Sequence, residues 1–340
     1  MRILKTAAVL TVAALAAACG GASADDDAGT PTTLRLGYFP NITHASAVYG
    51  VASGTYAREL GSTTLKTQTF NAGPAAVEAL FAGAIDATYI GPGPAVNAFI
   101  KSKGDVVIVA GATSGGAALV VKPGITDLKG KKIADPQTGG TQDIALRTYL
   151  ADKGLEVDKQ GAGDVTILSQ ENAQTLDLFK AGTIDGGWVP EPWASRLVLD
   201  GGGTVLVDEK TLWPGGRFVT TNLLVRKKFL DQHPDAVKAL IKAQVAANTE
   251  IAADPAKAKT VINDALKSLT GKALKPAVID RAFAQITLTE DPLAATLKSI
   301  AEHAFATGLV KQGDLTGILQ LSLLHEVTGK DFDDAGLGKG

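Results

Sequence analysis

One local design is written twice in this chain. The segment GAIDATYIGPGPA, Gly83 to Ala95, returns as GTIDGGWVPEPWA, Gly182 to Ala194, and the register is gapless. An offset of 99 residues carries Gly83 onto Gly182, Ile85 onto Ile184, Asp86 onto Asp185 and Tyr89 onto Trp188. A helix-like run precedes each copy, GPAAVEALFA in the first and NAQTLDLFKA in the second. A glycine turn, a short apolar strand and a Gly/Pro-rich loop that opens another helix follow, which is one α-turn-β-loop-α unit used twice. A chain that repeats such a unit at domain spacing is expected to build two related α/β bodies.

The rest of the chain fits that expectation. From Leu34 onward strand-like and helix-like runs alternate: LRLGYF, a helix from about Thr43 to Leu60, LKTQTF, a helix after Gly73, ATYI, a helix after Pro92, and DVVIVAGA. A second series starts near Lys131 with KKIADP, a helix from Thr141 to Lys153, DVTILSQ, a helix after Asn172, GGWV and TVLVD. Such alternation predicts mainly parallel sheets with helices on both faces. GRFVTTNLLVRKKFL reads as one further strand, and beyond Pro234 the pattern is helical, with Pro234 and Pro255 placed as first-turn prolines. Crossings between the bodies are expected near 122–131 and 212–217, where KPGITDLKGK and LWPGGR supply Gly, Pro and charge. The expected organisation is a first lobe from 33–122 and 216–340, a second lobe from 123–215, and a two-segment hinge that lets the lobes close on a small ligand.

The N-terminus reads as an export signal. Arg2 and Lys5 precede an apolar run from Ala7 to Ala18, too short to span a bilayer, and Cys19 follows with Gly20 and Gly21. LAAACG resembles the cleavage and lipidation box of a bacterial lipoprotein, with Ala16 where Leu is usual. Residues 1–18 are thus expected to be a signal peptide and 19–32, small and acidic, a flexible tether from a lipidated Cys19. Cys19 is the only cysteine in the chain, so the folded body has neither a disulfide nor a thiol nucleophile.

In open α/β sheets, ligands sit beyond the carboxyl ends of the strands, where loops lead into helix N-termini. Here those loops are Pro40 to His44, Asn71 to Pro74, Gly91 to Pro94 and Thr113 to Gly116 in the first series, with Thr138 to Gln142 and Trp188 to Glu191 in the second. Nearly all are neutral and rich in small or donor side chains, which suits an anion held by helix N–H groups and the helix dipole. Thr141 is the leading candidate, its hydroxyl converging with the Gln142 amide; the alternative is an ordinary N-cap. Trp188 either packs on a ligand tail or fills a core. Glu191 is either a ligand contact or a structural carboxylate at a helix start, and His44 either an imidazolium on the anion or a neutral partner of the backbone.

No catalytic constellation is legible. His44, His233, His303 and His325 are scattered and lack a zinc spacing, and there is no phosphate loop of either common type. No metal or cofactor is expected. A formal net charge of −2 gives nucleic acid no broad basic surface to bind.

The segments LRLGYFPNITHASAVYG, FNAGPAAVEALFAGAIDATYIGPGPAV, DLKGKKIADPQTGGTQDIALRTYL, WVPEPWASRLVL and LWPGGRFVTTNLLVRKKFL resemble the aliphatic sulfonate binding proteins of ABC transporters, within the wider nitrate/sulfonate/taurine binding group. The resemblance implies a type II periplasmic binding protein fold and a monomer. It also implies a small organic anion enclosed between the lobes and delivered to an ABC permease for sulfur uptake. Its site maps onto Asn41, His44, Gly73, Pro92, Ser114, Gly140, Thr141, Gln142, Trp188 and Glu191. Nitrate, taurine, bicarbonate or a pyrimidine precursor are the alternative ligands. An enzyme on the same scaffold is the alternative class, disfavoured because enzymes resembling this fold use cysteine. A ligand-sensing partner of a membrane receptor would share the same pocket and tether.

Overall fold

The computed structural model describes residues 32–338. The signal segment, Cys19 and all but the last residue of the tether lie outside the described residues.

The chain opens with β1 (Thr33–Tyr38), α1 (Ala45–Ala52), α2 (Thr55–Leu60), β2 (Thr64–Thr69), α3 (Gly73–Phe81), β3 (Ala87–Ile90), α4 (Pro92–Ser102) and β4 (Val106–Gly115). The middle third holds β5 (Ala117–Val121), β6 (Lys132–Asp135), α5 (Thr141–Asp152), β7 (Thr166–Ser169), α6 (Asn172–Ala181), β8 (Gly186–Pro190), α7 (Trp193–Leu199) and β9 (Thr204–Asp208). The last third runs β10 (Val219–Arg226), α8 (Lys227–Gln232), α9 (Pro234–Ala253), α10 (Pro255–Thr270), α11 (Pro276–Phe283), β11 (Ile286–Leu288), α12 (Ala294–Ala306) and α13 (Ser322–Thr328). The single helix expected over Thr43 to Leu60 is broken at Gly54, whose φ of 79° ends α1 and restarts the chain as α2.

Two sheets organise these elements, with strand orders β11-β4-β10-β3-β1-β2 and β7-β6-β8-β5-β9. Each contains the same parallel trio, β2-β1-β3 in one and β7-β6-β8 in the other. Each trio is completed by an antiparallel neighbour, β10 beside β3 and β5 beside β8. β3, β4, β5 and β8 are buried along their whole length, so they read as continuous apolar runs rather than alternating ones. β2 (TLKTQT) is a mostly exposed edge, guarded by polar side chains.

The repeat that opens the sequence is this trio. Gly73 starts α3 and Asn172, 99 residues on, starts α6; Asp86 and Asp185 then do the same job. The Asp86 carboxylate accepts the Arg35 backbone N–H at 3.0 Å while its own N–H donates to the Arg35 carbonyl. Asp185 does so with Lys132, at 2.8 Å. The recurring Gly-x-Ile-Asp is therefore a clamp at the start of a strand pair, with Ile85 and Ile184 buried beneath it.

Of the two expected crossings between the sheets, the return near 212–217 is found and the outward one is displaced. β5 pairs with β8 and β9, so residues 117–121 belong with the second sheet and not, as the expected boundary at 122 had it, with the first. The outward crossing is Gly115–Gly116, two successive left-handed glycines at φ 78° and 81° that split one apolar run into two strands of different sheets. The return lies between β9 and β10, in residues 209–218. After β10 the helices pack mainly onto the first sheet's side, α9 against α1 and α2 and α10 against α1, while α11 packs against α7 of the second body and α12 touches both α4 and α5. β11 interrupts this helical stretch and adds an antiparallel edge to β4.

Candidate ligand-binding site

Between the two sheets lies a cavity lined by the loops at the carboxyl ends of the strands. From the first body come Phe39, Asn41, Thr43 and His44 after β1, Asn71 to Gly73 after β2, and Gly91 and Pro94 after β3. From the second come Pro136, Gln137 and Gly140 to Gln142 after β6, Asn172 at the start of α6 and Pro190 at the end of β8. Thr220 and Thr221 of β10 close it. Its volume is about 40 Å³. A single water takes roughly 10–15 Å³, so there is room for about three water-sized groups.

Four helices, α3, α4, α5 and α6, begin at this cavity, and at none of them does a side chain cap the first turn. Their leading N–H groups are therefore not consumed by caps, although Pro74 in α3 and Pro92 and Pro94 in α4 carry none, and each N-terminus carries the positive end of a dipole. No lining residue is formally charged. His44 is buried, and desolvation pulls its pKa down to about 3, so the ring is neutral at physiological pH. Its Nδ1 accepts the Phe39 N–H at 3.4 Å and the ring stacks on Phe39 with centroids 4.4 Å apart, which puts the remaining proton on Nε2. His44 is thus the backbone's neutral partner and not an imidazolium.

Thr141 lines the cavity from the second body. Gly140 is the N-cap of α5 and Thr141 its first helical residue, so the hydroxyl is not a cap. Thr141 Oγ1 is buried with no protein partner, and the buried Asn172 Oδ1 also has none. Thr220 and Thr221 have spent their protons elsewhere, on the carbonyls of Gly115 (2.5 Å) and Thr43 (3.0 Å). The start of α5 presses against the β3–α4 loop so closely that a Cβ on Gly91 would stand 2.2 Å from Thr141 Oγ1.

The loop that presents Thr141 is held from behind. Asp143 accepts the Gly139 N–H at 2.8 Å and pairs with the buried Arg147 at 2.6 Å. Asp135, at the end of β6, accepts from Ser169 Oγ at 2.9 Å, and burial together with the nearby Asp143 pushes its carboxyl upward. Across the cleft, Trp193 Nε1 donates to Asn41 Oδ1 at 3.0 Å and Asn71 Nδ2 to Glu171 Oε1 at 2.7 Å.

Six of the sequence-derived candidates, Asn41, His44, Gly73, Gly140, Thr141 and Gln142, line this cavity. Four do not. Trp188 is 0% exposed: its indole N–H donates to Glu209 at 2.7 Å and its ring packs against Tyr149, so it fills the core of the second body instead of meeting a ligand tail. Glu191 is a staple near the outward crossing. Its N–H donates to Gly116, its carbonyl accepts from Ile42, and its buried carboxylate accepts the Ser195 N–H at 3.0 Å. Burial raises the Glu191 pKa, and Arg281 lies 3.9 Å away. Ser114 accepts the Phe218 N–H at 3.3 Å beside the crossing. Pro92 is the first residue of α4, and Gly91 and Pro94 take its place on the wall. The sequence reading missed Phe39, Gln137, Asn172, Thr220 and Thr221. For the two threonines a signal existed, the polar trio Thr220, Thr221 and Asn222 inside the otherwise apolar strand VTTNLLV.

Among the described residues no cluster of His, Cys, Asp and Glu could hold a metal, and no helix is long and apolar enough to cross a membrane. What the geometry offers is a small, neutral, donor-rich enclosure between two bodies.

Comparison with known proteins agrees with this architecture. The taurine-binding periplasmic protein of Escherichia coli (strain K12) is 31% identical over 208 residues, 60% of this chain and 62% of that protein. The chain thus spans less than two thirds of the length of the curated relatives it matches. The alkanesulfonate-binding protein SsuA from Xanthomonas axonopodis pv. citri, solved bound to MOPS, superposes with a TM-score of 0.72 at 24% identity, covering 87% of this chain and all of that one. The periplasmic nitrate-binding protein NrtA from Synechocystis PCC 6803 does so with a TM-score of 0.73 at 20% identity, covering 88% of each. The fold is that of periplasmic binding proteins. A model described as the NMT1-like family matches residues 27–264, well over half of the chain, and the protein belongs to that family.

Proposed function

We propose that this protein is the solute-binding component of an ABC import system, and that it encloses the oxoanion head of a small organic anion, a sulfonate, in the cavity around Thr141. The observation that carries the reading is the buried, unpartnered Thr141 hydroxyl at a point where four uncapped helix N-termini converge. A buried hydroxyl without a partner costs free energy unless a ligand satisfies it. A sulfonate has three acceptor oxygens and no proton to give, which suits the Thr141 hydroxyl and the free helix N–H groups in a lining without a charged base.

The names of the relatives support the same class, since taurine and alkanesulfonates share that head group. A second reading, a planar oxoanion such as nitrate or bicarbonate, is favoured by the small volume, which holds a four-atom anion without any substituent. In keeping with the N-terminal signal, the protein would be exported, tethered to the membrane through a lipidated Cys19, and would act as a monomer that hands its ligand to a permease.

Isothermal titration calorimetry with taurine, ethanesulfonate, nitrate and bicarbonate tests the reading. Thr141→Val removes the donor and keeps the shape. It should weaken the bound anion by about 1.5–3 kcal/mol, the worth of a hydrogen bond to a charged group. Binding of none of the four, or unchanged affinity in Thr141→Val, would refute it.

A further inference from the structure

We propose that Trp193 is a positioning residue for the ligand, acting through Asn41. Asn41 lines the cavity after β1, and Trp193, the first residue of α7, approaches it from the second body without lining the cavity itself. The indole Nε1 lies 3.0 Å from the Asn41 side-chain oxygen. An indole N–H can only donate, so the atom it meets must be the amide oxygen. This fixes which end of the amide is which, a choice that Asn otherwise leaves free. With Oδ1 committed to the indole, the amide has its Nδ2 donor to offer to the cavity and its acceptor is withheld. An anion requires that arrangement; a rotated amide would present a lone pair to it.

The indole is itself held in place. The Arg196 guanidinium stacks over its ring at 4.6 Å, one helical turn along α7, and Arg196 is within 3.5 Å of Asp200. The backbone on both sides of the contact is strapped together, since the Ile42 N–H donates to the Glu191 carbonyl at 3.2 Å. The Trp193–Asn41 bond therefore joins two anchored segments, and its energetic role is to choose one of two amide orientations. The inference rests on the reading of the cavity as the ligand site, and the variants below separate the two.

The test is a double-mutant cycle read by calorimetry, using whichever of taurine, ethanesulfonate, nitrate and bicarbonate binds the wild type most tightly. Trp193→Phe keeps an aromatic ring for Arg196 and removes only the N–H donor. It should weaken binding about tenfold, the lower end of what a hydrogen bond to a charged group is worth. In an Asn41→Ala background, where no amide remains to be oriented, the same substitution should change the Kd by less than about twofold. A second variant avoids touching the indole: Asn41→Asp keeps an acceptor for Trp193 but can offer the cavity no donor, and should bind the anion more weakly than Asn41→Ala. An unchanged Kd in Trp193→Phe, an equal penalty in both backgrounds, or tighter binding by Asn41→Asp than by Asn41→Ala overturns the proposal. Loss of affinity in Asn41→Ala with none in Trp193→Phe leaves the cavity as the site and sinks the positioning role alone. If Asn41→Ala and Thr141→Val are both silent, or no anion of the four binds, the site reading falls and the proposal with it.

Discussion

Gly91 offers a way to test the proposed closure of the two bodies from the wall that faces Thr141. It is the N-cap of α4, at φ −70° and ψ 157°, a conformation any residue adopts, so Gly91→Ala brings no backbone strain. The new methyl group would, however, meet Thr141 Oγ1 at 2.2 Å and Thr141 Cβ at 3.3 Å. Gly91 belongs to the first body and Thr141 to the second, so the clash exists only where the two are pressed together. Overpacking of this kind costs about 1–3 kcal/mol, and if it falls on the closed state alone it appears as lost affinity, roughly 5- to 150-fold in Kd. Removing Thr141 Oγ1 relieves the contact, so the penalty of Gly91→Ala should largely vanish in a Thr141→Ala background. Calorimetric titration gives the affinities, and thermal unfolding of the ligand-free protein gives the control. The ligand-free variant should unfold within a degree or two of the wild type. An unchanged Kd, or a ligand-free protein destabilised by as much as binding is weakened, would show that the contact is not specific to the closed, liganded form.

Two further outcomes follow from other parts of the chain. Burial raises the pKa of Glu209, which is 2% exposed and bonded to the Trp188 indole, from an ordinary 4.5 to about 7, so the folded state prefers the protonated form and loses that contribution as pH rises through 7. Glu209→Gln should match the wild type at about pH 4 and gain on the order of 3 kcal/mol over it by about pH 8.5 in urea unfolding, whereas parallel pH profiles for the two proteins would contradict the burial argument. If Cys19 carries the lipid anchor, Cys19→Ala should move the protein from the membrane to the soluble exported fraction, and an unaltered partition on fractionation would exclude the lipoprotein reading.

Much of this fold was legible because its signals are local. The 99-residue repeat marks the parallel trio of each sheet, and the first-turn prolines at 234 and 255 start α9 and α10 as their chemistry dictates. Loops at strand ends pointed to Asn41, His44 and Thr141 by topology alone. What stayed hidden depends on pairing and parity. The loop at Thr113 to Gly116 was legible between two apolar runs, but nothing in it says that the strand after Gly115 and Gly116 joins another sheet. Trp188 sits in a strand buried on both faces, so no alternation indicates which face its ring takes, and it went to the core beside Glu209. Glu191 and Ser114 flank the outward crossing, close enough in sequence to the cavity loops to be taken for them.

The neutrality of the cavity bears on release as much as on capture. An anion paired with one Arg or Lys would keep most of its stabilisation on whichever body carried that residue, open or closed. Here α3 and α4 bring two helix N-termini from one body and α5 and α6 two from the other. Each N-terminus acts as roughly half a positive charge, and the effect fades within about the first turn of the helix. On the proposed reading, neither body alone assembles more than half of that field, so separating them by a few ångströms would return the anion to water. Thr141 Oγ1 and the Gly91 backbone belong to opposite sides of that divide, so the same movement that opens the cleft also takes that donor away from the wall it presses against. For a protein whose proposed task is to surrender its ligand to a permease, a site built from two incomplete halves would make opening itself the release step.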